Sequence, residues 1–527
     1  MINLEGLYKY LNRFALSDSL YIIGTINSAL KAGSVKLNTD NIPQPVIDWI
    51  NEKCKDRQSR VELMLHISRL ARFLLLSASN DYKAKVLEMH DGTLQNAIYN
   101  TSILHEPRVD APKDATDVNH IMARIGQWQF PLQLSRLTII GRGQMLFLDI
   151  PEEIKPAYDF NAKCREYFGM DVFQFLATGH SLWVTADGIL KHNMTVEIDA
   201  LKDVVTPETI KQFATLSSGT PEDYRRYVRG DDWKTSNPLL DLYGFDPFAL
   251  IPAIKVGHST RLPRDVVYVT PQPFFWLQRA SVGLFYLLGD KEREIAASLG
   301  QGGRNDFRQS FGDVYRAYVG KHLAFAIAPM YFIDLDVEIT TAGEKPDFAL
   351  INGDTCVLFE VKTALLTLDA RTIFDVEKTR TEVQSGSFRR AIGQLNQFEE
   401  AVRAGKITDK RFKGVSKFVK IIVGFEDVFL ANVILLPLLQ ETYGSDAMAN
   451  FQIATITDIE TMGTMLSQGG DLVSFLREKV EKPDQVMYAL LPLIQKASPD
   501  GSKENPLLET AFKAFWSRMT GGAPFRE

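Results

Sequence analysis

Cysteine is scarce in this 527-residue chain: there are three, Cys54, Cys164 and Cys356, far apart and without paired spacing. That excludes a disulfide framework and a cysteine zinc site, and it fits a reducing compartment. The eight histidines show no ligand spacing, which argues against a histidine-held catalytic metal. An excess of one charge is lacking too, since 59 Lys and Arg stand against 65 Asp and Glu for a net charge of −6. A chain that coats nucleic acid by bulk charge is therefore excluded, although a local basic groove is not. Long hydrophobic runs are missing: the most apolar stretch, Phe274 to Leu288, is short and broken by Gln278 and Arg279. The opening Met-Ile-Asn-Leu-Glu-Gly has no basic segment leading into an apolar run, so a soluble cytoplasmic protein without membrane contact is expected. Internal repeats, low-complexity tracts and ATPase motifs are also absent. Gly141-Arg-Gly143, with no phosphate-loop pattern after it, reads as a turn between strands.

What is present is an ordinary globular composition, 45% hydrophobic and 24% charged, on a chain long enough for two to four domains. The expected class is α/β in the broad sense, a multidomain α+β protein. Residues 1–125 read as a helical domain from Leu63, Leu65, Ile67, Leu70, Phe73 and Leu74, with interruptions near Gly33 and at Pro43 to Pro45. Residues 126–300 read as a mixed, sensor-like region, with strand-like pieces at Leu137–Ile140, Met145–Leu148 and Ser181–Val184. Gly300-Gln-Gly-Gly303 suggests a boundary. Residues 301–470 then read as a catalytic domain of order αββαβ, and residues 471–527 as a helical tail packed on it. Its elements are a helix from Phe311 to Ala326 and strands near Tyr331 to Ile339, Asp347 to Ile351 and Thr355 to Val361. A helix from Phe388 to Arg403 and strands Lys417–Gly424 and Phe451–Ile456 follow.

The chemistry concentrates at Pro346-Asp347 and Glu360-Val361-Lys362. Between them, two apolar strands flank Asn352-Gly353, a strong hairpin signal. With Asn352 and Gly353 as the loop, Ile351 pairs with Asp354, and Asp347 lies opposite Leu358 and diagonal to Glu360. Side chains alternate with period two, so Asp347, Glu360 and Lys362 share a face. A three-residue loop would send Asp347 to the other face. Two carboxylates at this spacing suit one cation. Glu153-Ile-Lys155 and Asp232-Trp-Lys234 repeat the short pattern but end no apolar strand, and Pro483-Asp484 and Pro499-Asp500 lack a following Glu-x-Lys.

Residues 305 to 425 resemble the PD-(D/E)XK, restriction-endonuclease-like, phosphodiesterase superfamily, over under a third of the chain. Gln394, four residues before Phe398, resembles the Gln-x-x-x-aromatic element of some branches, whose glutamine lies beside the metal. The chain departs from the pattern at Arg316, where a glutamate is expected; either Asp313 substitutes or no third acid exists. The resemblance implies a metal-dependent endonuclease. Asp347, Glu360 and the Val361 carbonyl would hold Mg²⁺, with Mn²⁺ as a substitute, and Lys362, its ammonium form disfavoured by the cation, would orient or deprotonate a water. A basic run including Lys406, Lys410, Arg411, Lys413, Lys417 and Lys420, with Phe412 and Phe418 interleaved, reads either as a nucleic-acid track or as a solvated edge. Arg389 and Arg390 join the candidate nucleic-acid contacts. Arg225, Arg226 and Arg229 lie among acidic residues and read as a solvated helix. The substrate stays open between DNA, which is favoured, and RNA such as tRNA. By analogy the chain reads as an antiviral defence effector with a phage or protein trigger, a homodimer being one option. A scaffold or nucleic-acid binder without activity is the alternative.

Overall fold

The computed structural model describes the chain apart from residues 1–2, 31–41, 43, 81–82, 90, 103, 105–121, 128, 186, 192–200, 202, 256, 258, 260–261, 263, 301–305, 341–342, 369, 371–375, 385 and 523–527. The breaks expected at Gly33 and Pro43, and all of the expected boundary beyond Gly300, lie outside the described residues. No described helix is long and apolar enough to cross a membrane.

The stretch whose periodicity reads as helical carries helices Leu4–Leu11, Leu16–Leu30, Gln44–Lys53, Arg57–Ser77 and Thr93–Ser102. Their ends follow from local chemistry. Asn3 accepts from the Gly6 N–H at 2.8 Å, and Asp56 and Ser59 form a reciprocal capping box. The following region differs from the expected text. Leu137–Ile140 lies in helix Arg136–Gln144, Met145–Leu148 in a π-helical turn, Met145–Asp149, and Ser181–Val184 in helix Val172–Thr185. An apolar run buried on every side has no period to separate helix from strand. Gly141-Arg-Gly143 is likewise helix interior, not a turn. A Cβ on Gly141 would lie 2.5 Å from the Leu508 carbonyl oxygen, and one on Gly143 2.7 Å from Ser281 Oγ. These glycines let helix Pro506–Met519 and a neighbouring segment close on the backbone.

Two sheets form. The smaller is built from β1 (Ile189–Lys191), β2 (Ser218–Gly219), β3 (Ala253–Lys255) and β4 (Val266–Val269), in the order β1-β4-β3-β2. The larger comprises β5 (Tyr331–Asp334), β6 (Phe348–Asn352), β7 (Thr355–Lys362), β8 (Lys417–Gly424) and β9 (Phe451–Ala454), in sequence order. The chain is thus α+β. β5, β6 and β7 run antiparallel, and β7, β8 and β9 run parallel. Parallel neighbours need crossovers, which helices Gly386–Arg403 and Ala431–Tyr443 provide.

Alternation along β7 decides what covers each face. Val357 and Phe359 belong to the large core shared with the N-terminal helices and with Val314 and Tyr315 of helix Asp306–Leu323. Cys356 and Leu358 belong to a second core with Phe388, Leu395 and Phe398 of the crossover helix. All four strand side chains are fully buried, each larger one contributing about 1.5–3 kcal/mol. A central strand apolar on both faces is the result. The C-terminal segment divides its packing. Helix Leu472–Glu481 buries Leu472, Val473 and Leu476, while helix Pro506–Met519 sets Phe515 against Phe173 at 5.7 Å.

Candidate active site

The hairpin register is Asn352↔Thr355, Ile351↔Cys356, Leu350↔Val357, Ala349↔Leu358 and Phe348↔Phe359. The loop residues are therefore Gly353 and Asp354, and the expected pairing of Ile351 with Asp354 and of Asp347 with Leu358 is corrected by one position on each strand. Gly353, at φ 60°, supplies the positive φ at the first loop position of a type II′ turn, so the chain uses the Gly-Asp loop in place of the equally allowed Asn-Gly one. The Asp354 carbonyl accepts from Ser416 and Lys417 N–H at 2.9 and 3.0 Å, which ties the turn to the start of β8. Because the loop still has two residues, side-chain parity is unchanged. Asp347 stays on the face of Cys356 and Leu358, and the corrected register brings it beside Glu360 rather than diagonal to it.

Both Asp347 oxygens are held: Oδ2 accepts from the Val361 N–H at 2.7 Å and Oδ1 from Arg316 Nε at 2.8 Å. Glu360 Oε1 accepts from Lys362 Nζ. Glu360 Oε2 is buried, on a residue 3% exposed, and has no hydrogen-bond partner among the described residues. Burial, then the Asp347 charge, push the Glu360 carboxyl up to about 8 against the pull of Lys362. Burial also raises Asp347, although the Val361 N–H and Arg316 oppose it.

Gln394 enters from the crossover helix, whose Leu395 and Phe398 anchor it in the second core. Its Oε1 lies 3.3 Å from Lys362 Nζ, and its Nε2 donates to the Lys345 carbonyl at 3.2 Å. Asp347, Glu360, Lys362 and Gln394 are thus brought together, and the Val361 backbone joins them.

Two further carboxylates, outside the sequence motifs, belong to this cluster. Tyr331 to Ile339 is not one strand: β5 ends at Asp334, which caps the short helix Leu335–Glu338 by accepting from Asp336 and Val337 N–H at 3.1 and 3.3 Å. Asp334 and Asp336 both reach Arg316. The available signal was an Asp-x-Asp directly after the apolar Tyr-Phe-Ile, where a strand ends and a polar cap begins. Asp313, the suggested substitute acid, is exposed, whereas Arg316 contacts Asp347 directly.

The basic candidates separate. Arg389 and Arg390 are exposed at the start of the helix that carries Gln394, with no ion pair among the described residues. Lys406, Lys410 and Lys413 are exposed, but Arg411 is engaged by Asp409 at 2.7 Å and Glu338 at 2.6 Å. Lys417 pairs in register with Thr355, and Gly424 with Lys362, so Lys417 sits at the far end of β7, about 23 Å from Lys362 at about 3.3 Å per residue. There it lies 3.6 Å from Asp354. Lys420 is buried against Glu399 at 2.8 Å. Phe418, in the central strand β8, and Phe412, in the turn before it and 5.7 Å from the Phe398 ring, are buried as well, so the interleaved aromatics are core and not a stacking surface for bases. Arg229 and Arg225 also differ from a solvated reading: one pairs with Asp241 at 2.6 Å, the other donates to the Leu75 carbonyl at 2.7 Å.

Among the described residues, no group of three or more His, Cys, Asp or Glu side chains is placed to ligate one ion. No family model matches the chain, and no curated protein matches it either.

Proposed function

We propose that this chain is a Mg²⁺-dependent endonuclease that hydrolyses phosphodiester bonds of nucleic acid, DNA favoured, on a restriction-endonuclease-like core. The observation that carries the reading is Glu360 Oε2, a buried carboxylate oxygen without a partner among the described residues, beside the half-buried carboxylate of Asp347. Such an atom costs several kcal/mol unless a cation or proton answers it, and hard oxygen donors fit Mg²⁺ or Mn²⁺. Asp347, Glu360 and the Val361 carbonyl would hold the ion. Bound there, it would supply a polarised water and charge for a phosphate oxygen.

The protein's own groups do the rest. The Val361 N–H and Arg316 fix the Asp347 carboxylate from two sides. Gln394 holds Lys362 Nζ near Glu360, where the amine can exchange a proton with water or face the charge developing on phosphorus. Arg389 and Arg390 lie one to two helical turns before Gln394 and are free to meet the backbone phosphates. We assign the protein to the cytoplasm, with cleavage controlled by a phage or protein trigger bound by the first 300 residues.

RNA cleavage by the same groups is the nearest variant of this reading. The Arg316 contact to Asp347 favours a different one, a silent scaffold, because a guanidinium already neutralises part of the site. The test is incubation of wild type and K362A with plasmid, single-stranded DNA and total tRNA, with Mg²⁺ or with EDTA. Metal-dependent products from wild type alone are expected, and the substrate cut decides between DNA and RNA. No product, together with no Mn²⁺-dependent rise in Tm, supports the scaffold.

A further inference from the structure

We infer that Arg316 is a built-in cation standing where a second metal ion would otherwise sit, so that the centre takes one divalent ion and no more; this rests on reading Asp347 and Glu360 as a metal site. The Arg316 guanidinium gathers three carboxylates. Its Nε is 2.8 Å from Asp347 Oδ1 and 3.3 Å from Asp336 Oδ2, and its Nη atoms bind Asp334. It lies over the Phe348 ring at 4.6 Å, which fixes the plane of the fork. Asp347 therefore meets the guanidinium through Oδ1, which leaves Oδ2, held by the Val361 N–H at 2.7 Å, for the ion assigned to Asp347 and Glu360.

A guanidinium supplies charge but keeps its protons and presents no ligated water. On this assignment the Arg316 side contributes only charge, and any water activated by a metal belongs to the Glu360 side. Two carboxylate oxygens, from Asp347 and Asp336, converge on one nitrogen, and Asp334 adjoins them. Removing the guanidinium leaves three carboxylates whose mutual repulsion Lys345 Nζ, 3.9 Å from Asp336 Oδ1, offsets only in part and a divalent ion relieves.

Mn²⁺ binding to the full chain, counted by calorimetry and by electron paramagnetic resonance at pH 8, tests this without any activity assay. Wild type is expected to bind one ion, E360Q none, R316K one, and R316M two. Two ions in wild type overturn the inference and need no variant. One ion in an R316M protein with an unchanged circular dichroism spectrum overturns it as well, while leaving the proposed nuclease site standing. No ion in wild type removes the metal reading itself and the inference with it.

Discussion

Arg142 grips both carboxylate oxygens of Glu460, Nε to Oε1 at 2.7 Å and Nη2 to Oε2 at 2.8 Å, and Tyr318 OH donates to Oε1 at 2.6 Å. Arg142 and Glu460 are both buried and join helix Arg136–Gln144 to helix Ile456–Ser467 across the face of the large sheet opposite Gln394. R142M strands a buried carboxylate. Loss of about 3–5 kcal/mol of unfolding free energy is expected, with most of it restored in R142M/E460L, as urea denaturation will show. A single variant within 1 kcal/mol of wild type would mean that Tyr318 and solvent suffice for Glu460.

Gln394 tests whether the crossover helix takes part in chemistry. Q394A removes the acceptor 3.3 Å from Lys362 Nζ and the donor to the Lys345 carbonyl, at a partly exposed position outside the core. A hydrogen bond of about 1 kcal/mol corresponds to roughly a fivefold loss. That loss should fall on kcat, with KM and Tm unchanged. A change in KM alone would make Gln394 a substrate contact instead.

If Asp347 and Glu360 hold a metal as proposed, its binding should depend on pH through Glu360. In the metal-free protein its carboxyl sits at about 8, raised by burial and by Asp347, so below that pH an incoming ion must displace a proton. Apparent Mn²⁺ affinity should rise about tenfold per pH unit up to pH 8 and then level off. Without metal the sign is opposite for stability. Between the ordinary value of 4.5 and about 8 the folded state holds the extra proton, so this group makes stability fall as pH rises. E360Q should bind no ion by calorimetry and should lose the stability slope in denaturation from pH 5 to 9.

Much of the site was legible because its signals are local. β8 runs over Lys417–Gly424 as an apolar run bounded by turns would suggest. The shared face of Asp347, Glu360 and Lys362 survived an error of register because alternation depends only on loop parity. Long-range pairing was not legible: Arg142 and Glu460 are separated by 318 positions, and nothing near Gly141 or Gly143 announces that the glycines serve a helix crossing. Asp334 and Asp336 escaped notice because β5 stops after four residues and an Asp cap, not a break in hydrophobicity, ends it. Phe412 and Phe418 looked available beside lysines, and only burial separates a core aromatic from a stacking one.

Lys479 is a buried ammonium remote from any catalytic role, and its titration should register in stability. It is 1% exposed, with Nζ donating to Gln452 Oε1 and to the Val486 carbonyl, the latter at 2.9 Å. Burial pulls it down to about 8 from 10.5, with Asp458 pulling the other way. Between those two values the unfolded chain binds the proton and the folded protein does not, so stability rises with pH across that window. Below pH 8 both states are protonated and the cost of the buried charge is fully expressed. Relative to K479M, wild type should therefore gain up to about 3 kcal/mol between pH 7.5 and 10.5. Urea denaturation of both proteins at several pH values measures the difference directly. Parallel curves for the two would show that the ammonium is solvated in the folded protein, and the bonds to Gln452 and Val486 would then be transient.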